Sequence, residues 1–267
     1  MGSSFNHRIN FILVEMYSES HCHLGDITPE GVRKAEEAGL ELMITMGLDN
    51  ASTEAAIMKA KMHRCIKVSI GVHPWYADDF NDETRDRFKS LAANQEVVAV
   101  GEIGLDYTGR MNRQWVREEK YVDKEIQRAA LRGQIGLAKE LGVPVIIHDR
   151  APGQEVLDII KETHAQKTGA IIHGFSKDAA YVDRCKKLGV YLSMGLRQVQ
   201  AMTPELEEAI RRIPPRLMVT ETDSNKPWDI IQVCDIVGKI KGMSRQEVGL
   251  AATRNLKILV GYLSRKR

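Results

Sequence analysis

The fold can be read outward from one stretch, Val97-Val98-Ala99-Val100-Gly101-Glu102-Ile103-Gly104-Leu105-Asp106-Tyr107. Its first four residues are a short, mostly β-branched run, which predicts a strand buried on both faces. The run ends at a glycine that is followed at once by Glu102. A glutamate at the mouth of a buried strand costs free energy unless a positive group lies beside it. Candidates exist, because five histidines also fall at or just beyond the ends of predicted strands.

The composition is that of an ordinary globular protein, with 43% hydrophobic and 28% charged residues in a chain of 267. A single α/β barrel uses about 250 residues, so one such domain accounts for the length. The formal net charge of +2 does not by itself indicate nucleic-acid binding. A nucleic-acid substrate is still compatible with it, since only a local basic face would be needed.

Cysteine spacing and hydropathy bear on the compartment. The four cysteines are widely spaced and form no C-x-x-C pair, so we expect reduced thiols in a cytoplasmic protein. No apolar run approaches the ~18 residues of a membrane span, so no membrane partner is expected. Residues 1–15 are interpreted as a leader or an extended N-terminus. Residues 16–267 are predicted to form one domain.

Apolar runs alternate with helical patterns along the chain, which favours a TIM-type (β/α)8 barrel over an open doubly wound sheet. A distorted or seven-stranded barrel is the nearest alternative, because the sixth predicted strand is short. The predicted strands lie near Met16–Ser20, Leu42–Met46, Ile66–Ile70, Val97–Val100, Val143–Ile147, Ala170–Ile172, Val190–Ser193 and Leu217–Thr220. The predicted helices are Pro29–Ala38, Ser52–His63, Asp82–Ala93, Lys120–Leu141, Gly153–Thr163, Ala179–Leu188, Thr203–Arg211 and two extra C-terminal helices after Pro227.

Polar side chains follow six of the predicted strands, and in such a barrel chemistry gathers at the C-terminal ends of the strands. His21 and His23 lie two residues apart, so in an extended segment their side chains point the same way while Cys22 faces away. The others are His73 after strand three, Glu102 after strand four, His148-Asp149-Arg150 after strand five, His173 after strand six and Glu221-Thr222-Asp223 after strand eight.

Each of these residues has an ordinary structural explanation when it is taken alone. An H-x-H pair is a weak metal signal, and a single His148 or His173 is more often satisfied by hydrogen bonds in a core or loop. Glu102 alone could form an ion pair with an arginine. Together, the groups belong to five different strands yet share one end of the barrel, which favours a metal site. The other histidines are expected at the surface, namely His7, His63 and His164.

The number of ligands predicts two ions. Imidazole and carboxylate ligands without thiolate suit Zn²⁺ or Mn²⁺, and Mg²⁺ also fits. Two cations about 3.5–4 Å apart polarise a phosphoryl or carbonyl oxygen and lower the pKa of a shared water. Asp223 is placed to take the proton from that water, so Asp223 and Glu102 are the candidate catalytic residues. One ion would be held by His21, His23 and Asp223 and the other by His148 and His173, with Glu102 bridging them.

Four further residues are candidates for contacting substrate. His73 would donate a hydrogen bond to an oxyanion, although a structural role is almost as well supported. Arg150 would clamp a phosphate or carboxylate, but an ion pair with a glutamate fits equally well. Asp106 and Tyr107 would line the pocket or orient a histidine ligand. Other chemistries lack their motifs, because the chain has neither a G-x-x-x-x-G-K-[ST] phosphate loop nor a G-x-S-x-G elbow.

Six segments resemble, in order, the signatures of the TatD family of metal-dependent hydrolases, part of the amidohydrolase superfamily. They are Ser20-His21-Cys22-His23-Leu24, Gly71-Val72-His73-Pro74, Gly101-Glu102-Ile103-Gly104-Leu105-Asp106-Tyr107, Pro144-Val145-Ile146-Ile147-His148, Ile172-His173-Gly174-Phe175-Ser176 and Glu221-Thr222-Asp223-Ser224. The resemblance implies a TIM-type barrel, a divalent-metal site and hydrolysis of phosphodiester bonds in DNA, often from a 3′ end. By this resemblance, the metal ligands would be His21, His23, Glu102, His148, His173 and Asp223, and Asp223 would also be catalytic.

Three departures from the family pattern bear on the substrate. Lys177 follows Ser176 where the family usually has glycine, and Asn225-Lys226 precede Pro227-Trp228 where proline usually follows directly. The segment from Thr108 to Lys120 also matches poorly. These changes leave the metal ligands intact and would fit a divergent, archaeal-type branch with a different phosphoester or amide substrate.

Three classes of function follow. The first is a metal-dependent phosphodiesterase or deoxyribonuclease acting on DNA or a small phosphoester. The second keeps the site but hydrolyses an amide, lactone or ester in a small molecule. A closed apolar pocket would favour the small molecule, and nucleic acid would be favoured by a groove lined by Lys177, Arg197, Lys226 and Arg110. The third is a non-catalytic binding module, in which a full ligand set has no evident use. No oligomeric state is predicted.

Overall fold

The computed structural model describes residues 16–47, 50–110, 116–118 and 121–261, so the leader predicted at residues 1–15 lies outside the described residues. Within this part of the chain, eight parallel strands form one sheet in which each strand pairs with the next. The predicted (β/α)8 barrel is therefore confirmed, and the seven-stranded alternative is wrong. The strands are β1 (Tyr17–Cys22), β2 (Leu40–Met46), β3 (Ile66–Ile70), β4 (Val97–Asp106), β5 (Val145–Arg150), β6 (Ala170–Ile172), β7 (Tyr191–Gly195) and β8 (Met218–Glu221).

Ten α-helices lie in the described residues and connect or follow the strands. They are α1 (Pro29–Glu37), α2 (Asn50–Met62), α3 (Asp82–Leu91), α4 (Lys124–Leu141), α5 (Glu155–Thr163), α6 (Ala179–Leu188), α7 (Leu196–Gln200), α8 (Pro204–Arg212), α9 (Ile230–Lys241) and α10 (Arg245–Leu259). Several begin or end where local chemistry demands it. The Thr28 hydroxyl caps α1 by accepting from the backbone N–H of Gly31 at 3.1 Å. Gly142 and Gly189 end α4 and α6 with φ of 66° and 75°. The short helix α7 was not predicted.

Strand β4 runs on to Asp106, six residues beyond the predicted end at Val100. Glu102 therefore lies inside the strand and not in the loop after it. The reason is the close approach of β4 to β5. A Cβ atom at Gly104, whose φ is 152°, would lie 2.0 Å from the backbone oxygen of His148. Three other residues were predicted to follow their strands but lie within them, because the strands end a few residues later than predicted. They are His21 in β1, His148 in β5 and Glu221 in β8.

The first and last strands, β1 and β8, meet at a seam made partly by a side chain. The Glu19 carboxylate accepts the backbone N–H of Thr222 with both oxygens, at 2.8 and 2.9 Å. One residue further on, the backbone N–H of Asp223 donates to the carbonyl oxygen of His21 at 3.1 Å. These bonds hold the segment after β8 against the end of β1.

Apolar side chains form two buried clusters. The larger one lies between the sheet and the surrounding helices. The smaller one consists of strand residues such as Leu42 and Ile146, together with Leu256 and Val260 from and just after α10. Asn255 of α10 also donates to the carbonyl oxygen of Met218, at the start of β8, at 2.7 Å. Because α10 covers the end where the strands begin, the barrel opens at the end where they finish.

Two properties relate to the predicted compartment. Within the described residues, no helix has the length and apolar character needed to cross a membrane. The four cysteines are free and buried, as expected for reduced thiols. Burial raises the pKa of Cys65 and of Cys234 to about 12, so these thiols stay protonated and unreactive.

Candidate metal centre

Six ligand-type side chains predicted from the sequence meet at the open end of the barrel. The sets in which all ligand atoms lie within 4.8 Å of one another are His21, His23 and Glu102; His21, His173 and Asp223; and His73, Glu102 and His148. Each side chain lies on a strand or shortly after one, so the barrel itself brings them together. All six residues predicted as metal ligands are in these sets. His73, which was expected to contact substrate, joins them.

Glu102 stands at the centre of the cluster. Its Oε1 atom lies 2.7 Å from His148 Nδ1 and 2.9 Å from His173 Nε2. Its Oε2 atom lies 3.4 Å from His21 Nε2. The two carboxylate oxygens therefore face two different groups of imidazoles, which is the arrangement that a bridging ligand needs.

Asp223 completes the group beside β1. Its Oδ1 atom lies 3.1 Å from His23 Nε2 and 3.4 Å from His21 Nε2. The backbone here is left-handed, with φ of 53°, a conformation that Asp and Asn tolerate better than most residues. Because its side chain is 36% exposed, Asp223 faces both the imidazoles and the solvent that enters the site.

The donor atoms fit a divalent ion. Bonds of about 2.0–2.2 Å from a tetrahedral metal to nitrogen or oxygen place two ligands about 3.3 Å apart. The separations of 3.1 to 3.4 Å that join His21 and His23 to the carboxylates of Glu102 and Asp223 are of this size. His21 is fully buried, and its Nε2 atom has no hydrogen-bond partner among the described residues. Such an orphaned atom is costly unless something else binds it, and an ion between His21, Glu102 and Asp223 would do so.

Two further carboxylates orient the histidines beside Glu102. Asp106 Oδ2 lies 3.0 Å from His148 Nε2, and Glu221 Oε1 lies 3.1 Å from His173 Nδ1. When a carboxylate accepts the N–H of one ring nitrogen, the other nitrogen keeps its lone pair for a metal. For Asp106 this is the orienting role considered above. The role of Glu221 was missed, although its place directly before Thr222-Asp223 was a signal.

Glu19 was also missed. It is fully buried, and besides Thr222 it accepts the backbone N–H of His21 at 3.3 Å. Burial raises the pKa of Glu19 well above its ordinary value. The residue ties together the two segments that carry His21 and Asp223. A carboxylate two residues before an H-x-H pair, inside a predicted strand, was the available signal.

His73 lies in the cluster, but its tautomer makes it a donor. Its Nδ1 atom accepts the backbone N–H of Trp75 at 3.1 Å, so in the neutral ring the proton is on Nε2. Burial lowers the pKa of His73, which keeps the ring neutral. The Nε2 atom lies 3.4 Å from Glu102 Oε1. Because a protonated nitrogen has no lone pair for a metal, the geometry fits a hydrogen-bond donor better than a ligand.

The imidazoles keep the carboxylates of the cluster ionised. Burial alone would raise the pKa of Glu102, but the surrounding histidines, His173 above all, hold that pKa well below its usual range. The pKa of Asp223 is likewise held well below its usual range, against the effect of burial, by His21 and His23. Both carboxylates are therefore anionic at neutral pH.

The cluster opens into a cavity of about 910 Å³, within the size range of small-ligand sites. Its wall includes Arg117, Arg150 and Arg197, and none of these has a carboxylate within 4 Å in the described ranges. Arg150 donates to the carbonyl oxygens of Asp149 and Gly174, at 3.1 and 3.2 Å, so the glutamate pair considered for it is not seen. The same wall also carries the carboxylates of Asp78, Asp79 and Glu83, so an anion would be held at the three arginines and not by the wall as a whole.

The other candidate residues lie around this cavity or a neighbouring one. Tyr107 and Lys177 line a second cavity of about 490 Å³. Of the cations proposed for a nucleic-acid groove, Arg110 forms an ion pair with Glu118 at 3.3 Å, and Lys226 lines neither cavity. Arg197 and Lys177 each line a cavity, although Lys177 is paired with Asp149 at 3.2 Å, and the groove itself stays a prediction.

A parallel eight-stranded barrel with four histidines and two carboxylates at metal-ligand separations defines a metal-dependent hydrolase. Residues 19–261 match the family described as TatD related DNase. The chain thus belongs to the TatD family, as the resemblance of its motifs predicted.

Known proteins similar to the chain agree with this class. The uncharacterized metal-dependent hydrolase YabD of Bacillus subtilis is 30% identical over 262 residues, 91% of this chain and 98% of its own. A protein of Erwinia tasmaniensis named 3′-5′ ssDNA/RNA exonuclease TatD is 30% identical over 200 residues, 74% and 72% of the two chains. The crystal structure of the TatD homologue YjjV from Escherichia coli has the same fold, with a TM-score of 0.79, 23% identity, and coverage of 93% and 98%.

Proposed function

We propose that this metal-dependent hydrolase is a phosphodiesterase that hydrolyses DNA. The observation that carries the proposal is the combination of a carboxylate-imidazole cluster with three arginines that lack carboxylate partners in the described residues. A phosphodiester is the anionic substrate that these arginines would hold beside a metal cluster. The name of the Erwinia relative, an exonuclease for single-stranded DNA and RNA, supports this substrate class.

Two ions are proposed for the cluster. One would be bound by His21, His23 and Asp223, the other by His148 and His173, and Glu102 would bridge them. The two oxygens of Glu102, which face different imidazole groups, support this division. Zn²⁺, Mn²⁺ and Mg²⁺ are compatible with the oxygen and nitrogen donors. When bound, such ions would lower the pKa of a water molecule and stabilise charge on a phosphoryl oxygen.

Three residues of the chain would do the remaining work. Asp223, ionised and partly exposed, would take the proton from the attacking water at a carboxylate oxygen. His73 would donate its Nε2 proton in a hydrogen bond to a phosphate oxygen, and it would do so as a neutral ring. Arg150 would hold another oxygen of the same phosphate with the N–H groups that its two carbonyl partners leave over.

Hydrolysis of an amide, lactone or ester stays the alternative. It would be favoured by a closed apolar pocket, whereas Arg117, Arg150 and Arg197 line the cavity beside the cluster. Membership of a hydrolase family argues against the non-catalytic binding module. The cytoplasmic location and the single domain over residues 16–267 stay predictions.

The proposal is tested by metal analysis together with digestion of a 5′-labelled single-stranded oligonucleotide. The protein is stripped with a chelator and then supplied with Mg²⁺, Mn²⁺ or Zn²⁺. We expect metal-dependent shortening of the oligonucleotide. Glu102→Gln should lower both the affinity for metal and the rate of hydrolysis by more than about 100-fold. Loss of a residue that only orients a ligand lowers them by about 10–100-fold, and loss of the proposed bridging ligand itself should have a larger effect.

Two variants sharpen the test. Asp223→Asn should fold normally, because asparagine also tolerates the left-handed backbone at this position. It should lose turnover, because the proposed base is gone, while at least one ion stays bound at His148 and His173. Glu205→Gln, on the exposed face of α8, should behave like the wild type. Bound metal without loss of DNA would contradict the nuclease and favour the amide or ester alternative. Full activity in Asp223→Asn would show that Asp223 is not the base.

A further inference from the structure

The second cavity adjoins the first and has no part in the proposed hydrolysis itself. We propose that it is a subsite for the next backbone phosphate of a bound nucleic-acid strand, held by Lys124. The inference rests on the proposed function, because it extends the same substrate beyond the bond that is cut. It implies that a strand with a second phosphate is a better substrate than one without it.

Arg150 connects the two cavities. Its side chain lines both the cavity at the metal cluster and the second cavity of about 490 Å³. A strand that leaves the cluster past Arg150 therefore enters the second cavity directly. Thr108, Pro152 and Ser176 at its wall are exposed, so the strand could continue into solvent.

Lys124, the first residue of α4, is a cation that no acidic group of the described residues neutralises. Its Nζ atom lies 4.8 Å from the ring centre of Tyr107 and 5.9 Å from that of Tyr121. No carboxylate lies within 4 Å of it in the part of the chain that the structure describes. Tyr107 is itself fixed, since its hydroxyl donates to Glu155 at 3.2 Å. The rings hold the ammonium by cation–π attraction, which leaves its N–H groups available to an anion.

Lys177, the third cation of this cavity, is different. Its Nζ atom lies 3.2 Å from Asp149 Oδ1 and donates to the carbonyl oxygen of Ala151 at 2.6 Å. Lys177 and Asp149 therefore cancel each other in charge. Because Arg150 is proposed to hold the phosphate beside the metal cluster, Lys124 is the charge left for a further phosphate among the described residues that line the second cavity. A phosphodiester placed there would accept a charge-assisted hydrogen bond from Lys124.

The test is a double-mutant-type cycle, in which one charge is removed from the protein, one from the substrate, and then both. The substrates are trithymidylate and two analogues in which one or the other linkage is a methylphosphonate, which is uncharged and resists hydrolysis. Cleavage is then confined to the remaining linkage. For the analogue in which the replaced linkage occupies the subsite, kcat/KM of the metal-loaded wild type should fall about tenfold, the worth of one charge-assisted hydrogen bond.

In Lys124→Gln, the loss of kcat/KM caused by the methylphosphonate should be about twofold or less. The lysine that would bind the charged phosphate is already absent there, so removing the phosphate charge has little further effect. Lys124→Arg should restore the tenfold penalty. Lys239→Gln removes an exposed lysine of α9 that lines neither cavity, and it should show the wild-type penalty. With a longer oligonucleotide, the logarithmic salt dependence of kcat/KM should be shallower by about 0.7 in Lys124→Gln alone.

An equal methylphosphonate penalty in the wild type and in Lys124→Gln would overturn the subsite and leave the proposed function standing. Absence of any penalty in the wild type would do the same. If the metal-loaded wild type cleaves none of the trinucleotides while chromogenic esters are hydrolysed, the proposed function itself fails and the subsite fails with it.

Discussion

At the scale of the residue, Asp106 is a heavily bonded carboxylate near the metal cluster. Its Oδ2 atom accepts the indole N–H of Trp75 at 2.8 Å and faces His148. Its Oδ1 atom accepts the backbone N–H and the hydroxyl of Thr108, at 2.8 and 2.6 Å. Trp75 also lines the cavity. Two hydrogen bonds, from Trp75 to Asp106 and between Asp106 and His148, therefore connect a ring that substrate can touch with a proposed metal ligand.

We expect Asp106→Asn to weaken metal binding by about 10–100-fold and to lower the free energy of unfolding by about 1–3 kcal/mol. If the new amide turns its NH₂ toward His148, the ring proton moves to Nδ1 and the lone pair beside Glu102 is lost. If it turns toward Thr108, two donors lose their acceptor. Titration calorimetry of the stripped protein with Zn²⁺ or Mn²⁺ measures the effect.

Asp158→Asn, at an exposed site on α5, is the control for this substitution. Unchanged affinity and stoichiometry in Asp106→Asn would mean that His148 does not depend on this carboxylate. Such a result would leave Glu102 as its orienting partner near the cluster.

Residue types and their places near strand ends were enough to predict the six proposed ligands. The orienting contacts could not be predicted, because they join distant parts of the chain. Glu19 and Thr222 are 203 positions apart, and no spacing in the sequence encodes their hydrogen bond. The same holds for the proton on His73, which depends on a backbone N–H at the start of the next turn. The surface position expected for His164 is found, and His63 is partly exposed.

At the scale of the element, β4 shows why strand ends are hard to read. Gly101 and Gly104 interrupt its apolar run, and such interruptions usually mark the end of a strand. Here they permit contact with β5, since a Cβ at Gly101 would lie 2.7 Å from the backbone oxygen of Ile146. Helix α7 was missed for another reason. Its five residues are too few for a helical period to show.

Gly104→Ala should lower the free energy of unfolding by more than about 3 kcal/mol, through backbone strain and overlap with the oxygen of His148. Gly136→Ala is the matched control, because a methyl group added to this exposed glycine of α4 would meet no other atom within 4 Å. It should stabilise the protein by about 0.5–1 kcal/mol. Urea unfolding followed by circular dichroism measures both. A Gly104→Ala protein within about 1 kcal/mol of wild type would contradict the close packing of β4 on β5.

At the scale of the whole molecule, the metal centre and the seam of the barrel coincide. His21 and His23 lie at the end of β1, and Asp223 follows β8. An ion bound by these three residues would join the two strands at which the sheet begins and ends. Glu19 already bridges them by hydrogen bonds, so metal and carboxylate would act on the same junction.

Metal binding should therefore stabilise the fold as a whole. At a free ion concentration about 1,000 times the dissociation constant, the gain is about 4 kcal/mol, equivalent to about 10 °C in Tm for a chain of this size. Differential scanning calorimetry with added metal or chelator measures the shift, and hydrogen exchange should slow most in β1 and β8. An equal Tm in both conditions would contradict a site that forms only in the folded protein.

The seam also determines when during synthesis the protein becomes complete. His23 and Asp223 are 200 positions apart, and the ribosome delivers the histidine first. While β8 and Asp223 are still inside the ribosome, the nascent chain would have the histidines of the first strand outside it but would lack the proposed base. The proposed nuclease would thus be inert while it is being made and would become active only once its last strand has docked.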